Sequence, residues 1–168
     1  VSVIDANGCV AVTSVVITEP LLGVGASATV TSNYNGQDVS CAGSCDGTAD
    51  AVGTGGTVTT GYTYLWTNGQ TTASASGLCA GLHTVTISDN GGCSNTATVT
   101  LTEPNAVTAT VASTVSVSCG GGNDGQATVV GTGGTVTTGY TYQWDATAGN
   151  QTTPTATGLP GGVAVSYT

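Results

Sequence analysis

The chain has no lysine and no arginine, and it also lacks methionine and phenylalanine. Phosphate recognition rests on cationic side chains, so their absence argues against nucleic acid as a partner. It argues equally against an anionic membrane surface. No apolar run approaches the ~20 residues of a spanning helix, so membrane insertion is not expected. Trypsin has no site to cut. Charge of any kind is scarce, at 5% of 168 positions, against roughly a quarter in an ordinary domain. Catalytic equipment is thin as well. His83 is the single histidine, and no Ser/His/Asp set or nucleophile elbow accompanies it. Paired acids can hydrolyse glycosides, but here the acids sit in repeated turns. The chain is therefore read as a non-enzyme. It carries no recognisable signal peptide and no starting methionine, and is read as a mature or excised segment.

What remains is acidic and rich in strand formers. Nine carboxylates give a formal charge of −9. Low charge would fit disorder only if β-branched and aromatic residues were also few. Here valine and threonine abound, with six tyrosines and two tryptophans. Glycine-punctuated runs of this kind favour strands joined by tight turns.

The sequence repeats itself. "GTGGTVTTGYTY" stands at 53–64 and again at 131–142, each followed two residues later by tryptophan, Trp66 and Trp144. "SCAGSCDG" (40–47) matches "SCGGGNDG" (118–125), and "SGLCAG" (76–81) matches "TGLPGG" (157–162). One match is out of order. "VSVIDANGCVAVTSVVITEP" (1–20) lies without a gap on "VTISDNGGCSNTATVTLTEP" (85–104). The tail of a repeat thus stands at the head of the chain. Residues 21–104 make one repeat of 84 positions, and 105–168 followed by 1–20 of another copy make a second of 84. The expected division is 1–20 as the closing strands of the preceding copy's second domain, 21–104 as a complete domain, and 105–168 as a domain lacking its last strands. The junction would run through Tyr167, Thr168, Val1, Ser2 and Val3 as one strand. Identical copies, head to tail, are then the expected partners. Two polymers fit: one continuous polypeptide, or separate subunits that each lend residues 1–20 to a neighbour. A junction inside a strand suits the continuous chain.

Each repeat offers about seven short alternating segments. In the second they lie near 107–111, 114–118, 126–130, 139–144, 152–157, 163–168 continuing into 1–4, and 10–17. "DANGC" (5–9) carries the Asn-Gly signal of a hairpin. Even spacing without helical period predicts an all-β chain of tandem immunoglobulin-like antiparallel sandwiches, one of them split across the chain ends. Trp66 and Trp144 are core anchors in this reading, with a stacking platform for sugar as the functional alternative. His83 is read as a packed strand residue.

These motifs resemble the SprB repeat family of bacterial surface proteins: "SCGGGNDGQATVVGTGG" (118–134), "YTYQW" (140–144), "TGLPGG" (157–162), "YT" joined to "VSVIDANGC", and "VTSVVITEP" (12–20). The resemblance implies tandem Ig-like modules in long extracellular adhesins at the cell surface. The chain departs from the family in lacking basic residues and in placing His83 where the second repeat has Tyr167.

The cysteines follow the repeats. Cys41 aligns with Cys119, and Cys93 with Cys9, which predicts a Cys41–Cys93 disulfide and a Cys119 bond to Cys9 of the next copy. Cys45 and Cys79 have no counterparts and are expected to pair with each other. Closing ~50 residues is worth roughly 4 kcal/mol in the chain-entropy model, useful to a domain with a thin core. Such disulfides imply an oxidising, extracellular setting. Zinc is the rival for four cysteines in one repeat, but their spacing matches no standard site. Two aspartate positions recur, Asp5/Asp89 and Asp46/Asp124. Turn capping is one reading of them, and calcium the other, since its ligands are carboxylate and backbone oxygens. Asn150-Gln151-Thr152 is a formal glycosylation sequon. Two functions compete: a structural unit of an extracellular fibre or stalk, and an adhesin repeat that binds glycans or surfaces through exposed tyrosine and tryptophan.

Overall fold

The computed structural model describes residues 1–19 and 22–168. Pro20 and Leu21, where the expected boundary between the 1–20 segment and the first repeat falls, lie outside them. An N-terminal hairpin is formed by β1 (Ser2–Ile4) and β2 (Val10–Val12). The first repeat contains β3 (Gly25–Val30), β4 (Gly47–Thr54), β5 (Thr63–Trp66), β6 (Ser74–Leu78), β7 (Gly81–Ser88) and β8 (Ser94–Leu101). The second contains β9 (Thr108–Val115), β10 (Gly125–Thr132), a 3-10 turn (Ala146–Ala148) and β11 (Thr155–Leu159).

The first repeat is an immunoglobulin-like sandwich. One sheet runs β3-β4-β6 and the other β5-β7-β8, all antiparallel. Alternation decides the faces. Gly47, Ala49 and Ala51 of β4 are buried while Asp50 and Val52 face outward. Val85 and Ile87 of β7 and Val99 and Leu101 of β8 close the core against Trp66, Val39 and Leu78. Most of these side chains are small, and the two sheets lie correspondingly close. A would-be methyl on Gly47 runs into Leu101, and one on Gly53 comes within 2.7 Å of the Tyr62 ring.

Repeated sequence gives repeated contacts. The Tyr62 hydroxyl donates to the Gly55 carbonyl at 2.7 Å, and Tyr140 to Gly133 at the same distance. Each tryptophan donates its indole N–H across the core rim at 2.9 Å, Trp66 to Thr72 and Trp144 to Thr153. Gln70 and Gln151 each clamp the backbone of the following strand. The second repeat has three more residues between its tryptophan and this glutamine, and they are the 3-10 turn, N-capped by Asp145.

The second repeat is otherwise half a sandwich. Residues 105–168 form one three-stranded sheet, β11-β10-β9, over a small core of Ala127, Val129, Trp144, Ala156 and Leu159. Several expected segments differ from the sequence reading. The segments near 107–111 and 114–118 are one strand, β9, bulged at Ala112. The 139–144 and 163–168 segments are reduced to a single bridge between Trp144 and Tyr167. The 10–17 segment is strand only at Val10–Val12. In the first repeat these same segments are β5, β7 and β8, which pair with one another. Among the described residues, the second repeat has no hairpin for 139–144 to join.

Candidate functional site

The N-terminal hairpin pairs Ser2 with Val12, Val3 with Ala11 and Ile4 with Val10. The β7–β8 hairpin pairs Thr86 with Thr96, Ile87 with Asn95 and Ser88 with Ser94. These are the same pairs, 84 positions apart. The turns agree as well. Asp5 N–H donates to Cys9 O at 3.0 Å and Asp89 N–H to Cys93 O at 2.9 Å. In each turn the aspartate Oδ1 accepts the cysteine N–H at 2.8 Å. Their surroundings are opposite. Val85, Ile87, Val99 and Leu101 are 0, 0, 7 and 2% exposed, while their counterparts Val1, Val3, Val15 and Ile17 are 78, 64, 77 and 91% exposed. Residues 1–19 thus carry the core-facing residues of a sandwich without the sandwich around them.

The complementary surface lies on the second repeat. All eight residues of β9 are exposed, although β3, its counterpart, is half-buried at alternate positions. A cavity of about 380 Å3 opens beside Gly125, between Val115, Val117, Ala127, Leu159 and Val165. Gly125 is the counterpart of Gly47, the glycine against which Leu101 sits. The residue in the Leu101 position of the hairpin is Ile17.

The residues of the expected junction are held separately. Val1 pairs with Thr13 through Thr13 N–H to Val1 O at 2.9 Å, and among the described residues β1 and β2 pair only with each other. Tyr167 packs edge-on against Trp144 with ring centroids 5.5 Å apart, and Thr168 exchanges backbone hydrogen bonds with Gln143. Alignment sets Tyr167 with His83, but the structure sets it opposite Trp144, the place Val85 holds opposite Trp66. The terminal segment therefore sits two residues along from the repeat register.

Cys45 and Cys79 form the expected disulfide, bracing the start of β4 to the end of β6. The expected Cys41–Cys93 bond is not made; both are exposed thiols, as are Cys9 and Cys119. Geometry forbids it. Cys41 lies beside the end of β8, where Asp38 and Thr102 bond reciprocally and Gly43 N–H donates to Glu103. Cys93 immediately precedes β8. Eight residues of strand at ~3.3 Å each put the two roughly 25 Å apart, whereas a disulfide needs Cα atoms within about 7 Å. Cys119 shares the Cys41 setting and Cys9 the Cys93 setting, so a Cys119 bond to Cys9 of the next copy within one sandwich meets the same obstacle.

The recurring aspartates tie down turns. Asp46 Oδ1 accepts Ser40 N–H, and Asp124 Oδ1 accepts Ser118 N–H, each at 3.0 Å. Asp89 bridges Cys93 N–H and Thr57 N–H. These bonds hold the carboxyls below the usual carboxylate range, chiefly through Cys9 for Asp5, Ser40 for Asp46, Thr57 for Asp89 and Ser118 for Asp124. The calcium candidates fall in two places, Asp46 at the end of the sandwich where the chain leaves and Asp89 at the other end. Among the described residues no group of three or more His, Cys, Asp or Glu is placed to share a metal.

Of the aromatic residues of the adhesin alternative, the tryptophans are buried and Tyr34 is exposed, at 37%. Trp66 and Trp144 are 2% and 1% exposed, and Tyr62, Tyr64, Tyr140 and Tyr142 are half-buried. The tryptophans belong to the cores, and Tyr62, Tyr64 and Tyr142 pack against them from the edge. His83 is half-buried on β7 with Nε2 2.9 Å from the Cys79 carbonyl. Sequence reading missed Gly47 and Gly125 as seats for a facing side chain, since Asp-Gly reads first as a turn. It also missed Thr57 and Thr135, whose only signal is their place in the twelve-residue repeat.

A search of curated proteins gives no match. The family model described as SprB repeat matches at 33–71 and at 111–149, once in each repeat. Both matched stretches contain the second strand of the sheet and end past the buried tryptophan; the first begins in the loop after β3 and the second within β9. This is a family of cell-surface repeats rather than of enzymes, and among the described residues no helix is long and apolar enough to cross a membrane. The chain thus carries two SprB repeats, one in each of its halves.

Proposed function

We propose that the chain is a structural repeating unit of an extracellular fibre or stalk, in which residues 1–19 of each unit complete the second domain of the unit before it. The observation that carries this reading is the pair-for-pair identity of the exposed β1–β2 hairpin with the buried β7–β8 hairpin. An isolated two-stranded hairpin is marginal in water. Seated on the second repeat, Val1, Val3, Val15 and Ile17 would each gain about 1.5–3 kcal/mol of burial, with Ile17 in the cavity at Gly125. Continuity through a Thr168–Val1 peptide bond, the form adopted here, brings Val1 opposite Trp144 in place of Tyr167. That is a shift of two residues, and a two-residue shift leaves every side chain on its own face. The burial of both tryptophans favours scaffold over adhesin, because a glycan platform needs an exposed ring.

The test is an 84-residue polypeptide of residues 105–168 followed directly by 1–20. It is expected to be monomeric and to melt in one cooperative transition, with β1 and β2 amides protected from hydrogen exchange. Residues 105–168 alone are expected to melt broadly and earlier. Equal melting of the two, or unprotected hairpin amides in the longer one, would overturn the reading.

A further inference from the structure

Four cysteines are left exposed and unbonded, and their places are not random. Cys41 and Cys119 lie where the chain leaves a domain. Cys93 lies where the chain enters one, and Cys9 stands in the same turn of the hairpin. Every junction between consecutive domains would therefore face one cysteine of each kind.

The contact between the two repeats shows how close they come. Thr135 Oγ1 donates to the carbonyl of Ser40, the neighbour of Cys41, at 3.4 Å, and both Cys41 and Thr135 line one cavity of about 320 Å3. Thr135 is the counterpart of Thr57. In the first repeat, Thr57 N–H donates to Asp89 at 2.7 Å, and Asp89 holds Cys93 N–H at 2.8 Å. The turn lies on Thr57 so closely that a methyl on Gly91 would be 3.5 Å from the Thr57 Cβ. The hairpin carries the same turn, with Asp5 holding Cys9 N–H at 2.8 Å. Docked on Thr135 as its counterpart docks on Thr57, it sets Cys9 at the corner that Cys41 already occupies.

From this geometry we infer that the disulfides join domains rather than brace them: Cys41 to Cys9 of the next unit, and Cys119 to Cys93 of the next unit. The inference rests on the completion of the second domain proposed above. With Cys45–Cys79 it leaves no free thiol in the interior units of the array. Each bond forms by exchange with a small-molecule disulfide. One cysteine thiolate attacks that disulfide and releases a thiolate. The second cysteine thiolate then displaces the mixed disulfide and releases another. Two protein thiols lose two protons and two electrons, and one oxidant disulfide becomes two thiols.

Two full-length units joined Thr168 to Val1 in one polypeptide provide the test. After oxidation with oxidised glutathione and peptic digestion without reductant, mass spectrometry is expected to find Cys41 of the first unit linked to Cys9 of the second, and Cys119 linked to Cys93 of the second. Cys41→Ser should free the Cys9 thiol to alkylation and leave the Cys119 bond in place. Hydrogen exchange of the second unit's Val1–Val12 separates the two ideas. Protected amides with Cys41–Cys93 linkage, or with free thiols, overturn this inference alone. Unprotected amides overturn it together with the completion of the domain.

Discussion

At the scale of single residues, glycine and aspartate do much of the positioning. Gly47 is buried because Leu101 and the Leu78 carbonyl occupy the space of a side chain, the latter 2.9 Å from a would-be Cβ. Gly47→Ala is expected to cost about 1–3 kcal/mol through overpacking, measurable as a lower denaturation midpoint at unchanged m-value. Trp66→Ala should cost more, about 3–5 kcal/mol, because the core has few other large side chains to collapse onto the void. The aspartates give a pH dependence whose sign is fixed. Asp5, Asp46, Asp89, Asp124 and, through Ser166, Asp145 all have folded pKa values below the ordinary one. Their stabilising contribution is whole above the unfolded value, about 3.9, and is lost as pH falls through the lower folded values. Melting temperature should therefore be flat from neutral pH to about 5 and fall below about 4. Asp89→Asn, which leaves one oxygen to serve two N–H donors, should blunt that fall. Both Asp89 oxygens already accept N–H groups, and among the described residues no three carboxylates converge on one place, so EDTA should leave the melting temperature unchanged.

Elements were legible where their pairing is complete within one repeat. Alternation and glycine spacing indicated about seven strands per repeat, of which the first sandwich forms six, and the unmatched Cys45 and Cys79 indicated their bond. The same alternation at 139–144 and 163–168 also reads as strand, yet the chain forms only the Trp144–Tyr167 bridge there. A strand needs a partner edge as well as a propensity. The cysteine pairing was misread for a related reason. Alignment says which residues are equivalent between repeats, but not that Cys41 and Cys93 stand at opposite ends of β8. Gly125 tests the element-level reading directly. In the single unit a methyl there meets mainly the Leu159 carbonyl, at 2.9 Å. Once a hairpin is seated, it should also meet Ile17, as Gly47 meets Leu101. Gly125→Ala is thus expected to cost more stability when 105–168 is followed by 1–20 than in the single unit. Equal costs in the two would place Ile17 elsewhere.

For the whole molecule, the two disulfide patterns differ most under load. Bonds inside domains would leave the backbone between domains as the only mechanical path. Bonds between domains create a shorter one. In an oxidised array, tension reaching Cys119 passes to Cys93 of the next unit, runs through residues 93–119, and leaves again at Cys119. Only β8, the connection to β9 and β9 itself lie on that path, and the rest of each unit is shunted. Extended chain spans at most ~3.3–3.6 Å per residue. A fully unfolded reduced unit would therefore release on the order of 570 Å of contour, whereas the loaded stretch from Cys93 to Cys119 can release only on the order of 90 Å. Stretching a tandem array of units by atomic force microscopy should show the larger extension with reductant and the smaller without it. Oxidised arrays that still unfold domain by domain to the full contour would return the cysteines to bonds within domains. A reducible, length-limiting path suits a surface fibre. Each sandwich has a thin core of alanines and valines with one tryptophan and few leucines or isoleucines, so its resistance to force is expected to come from covalent links more than from burial.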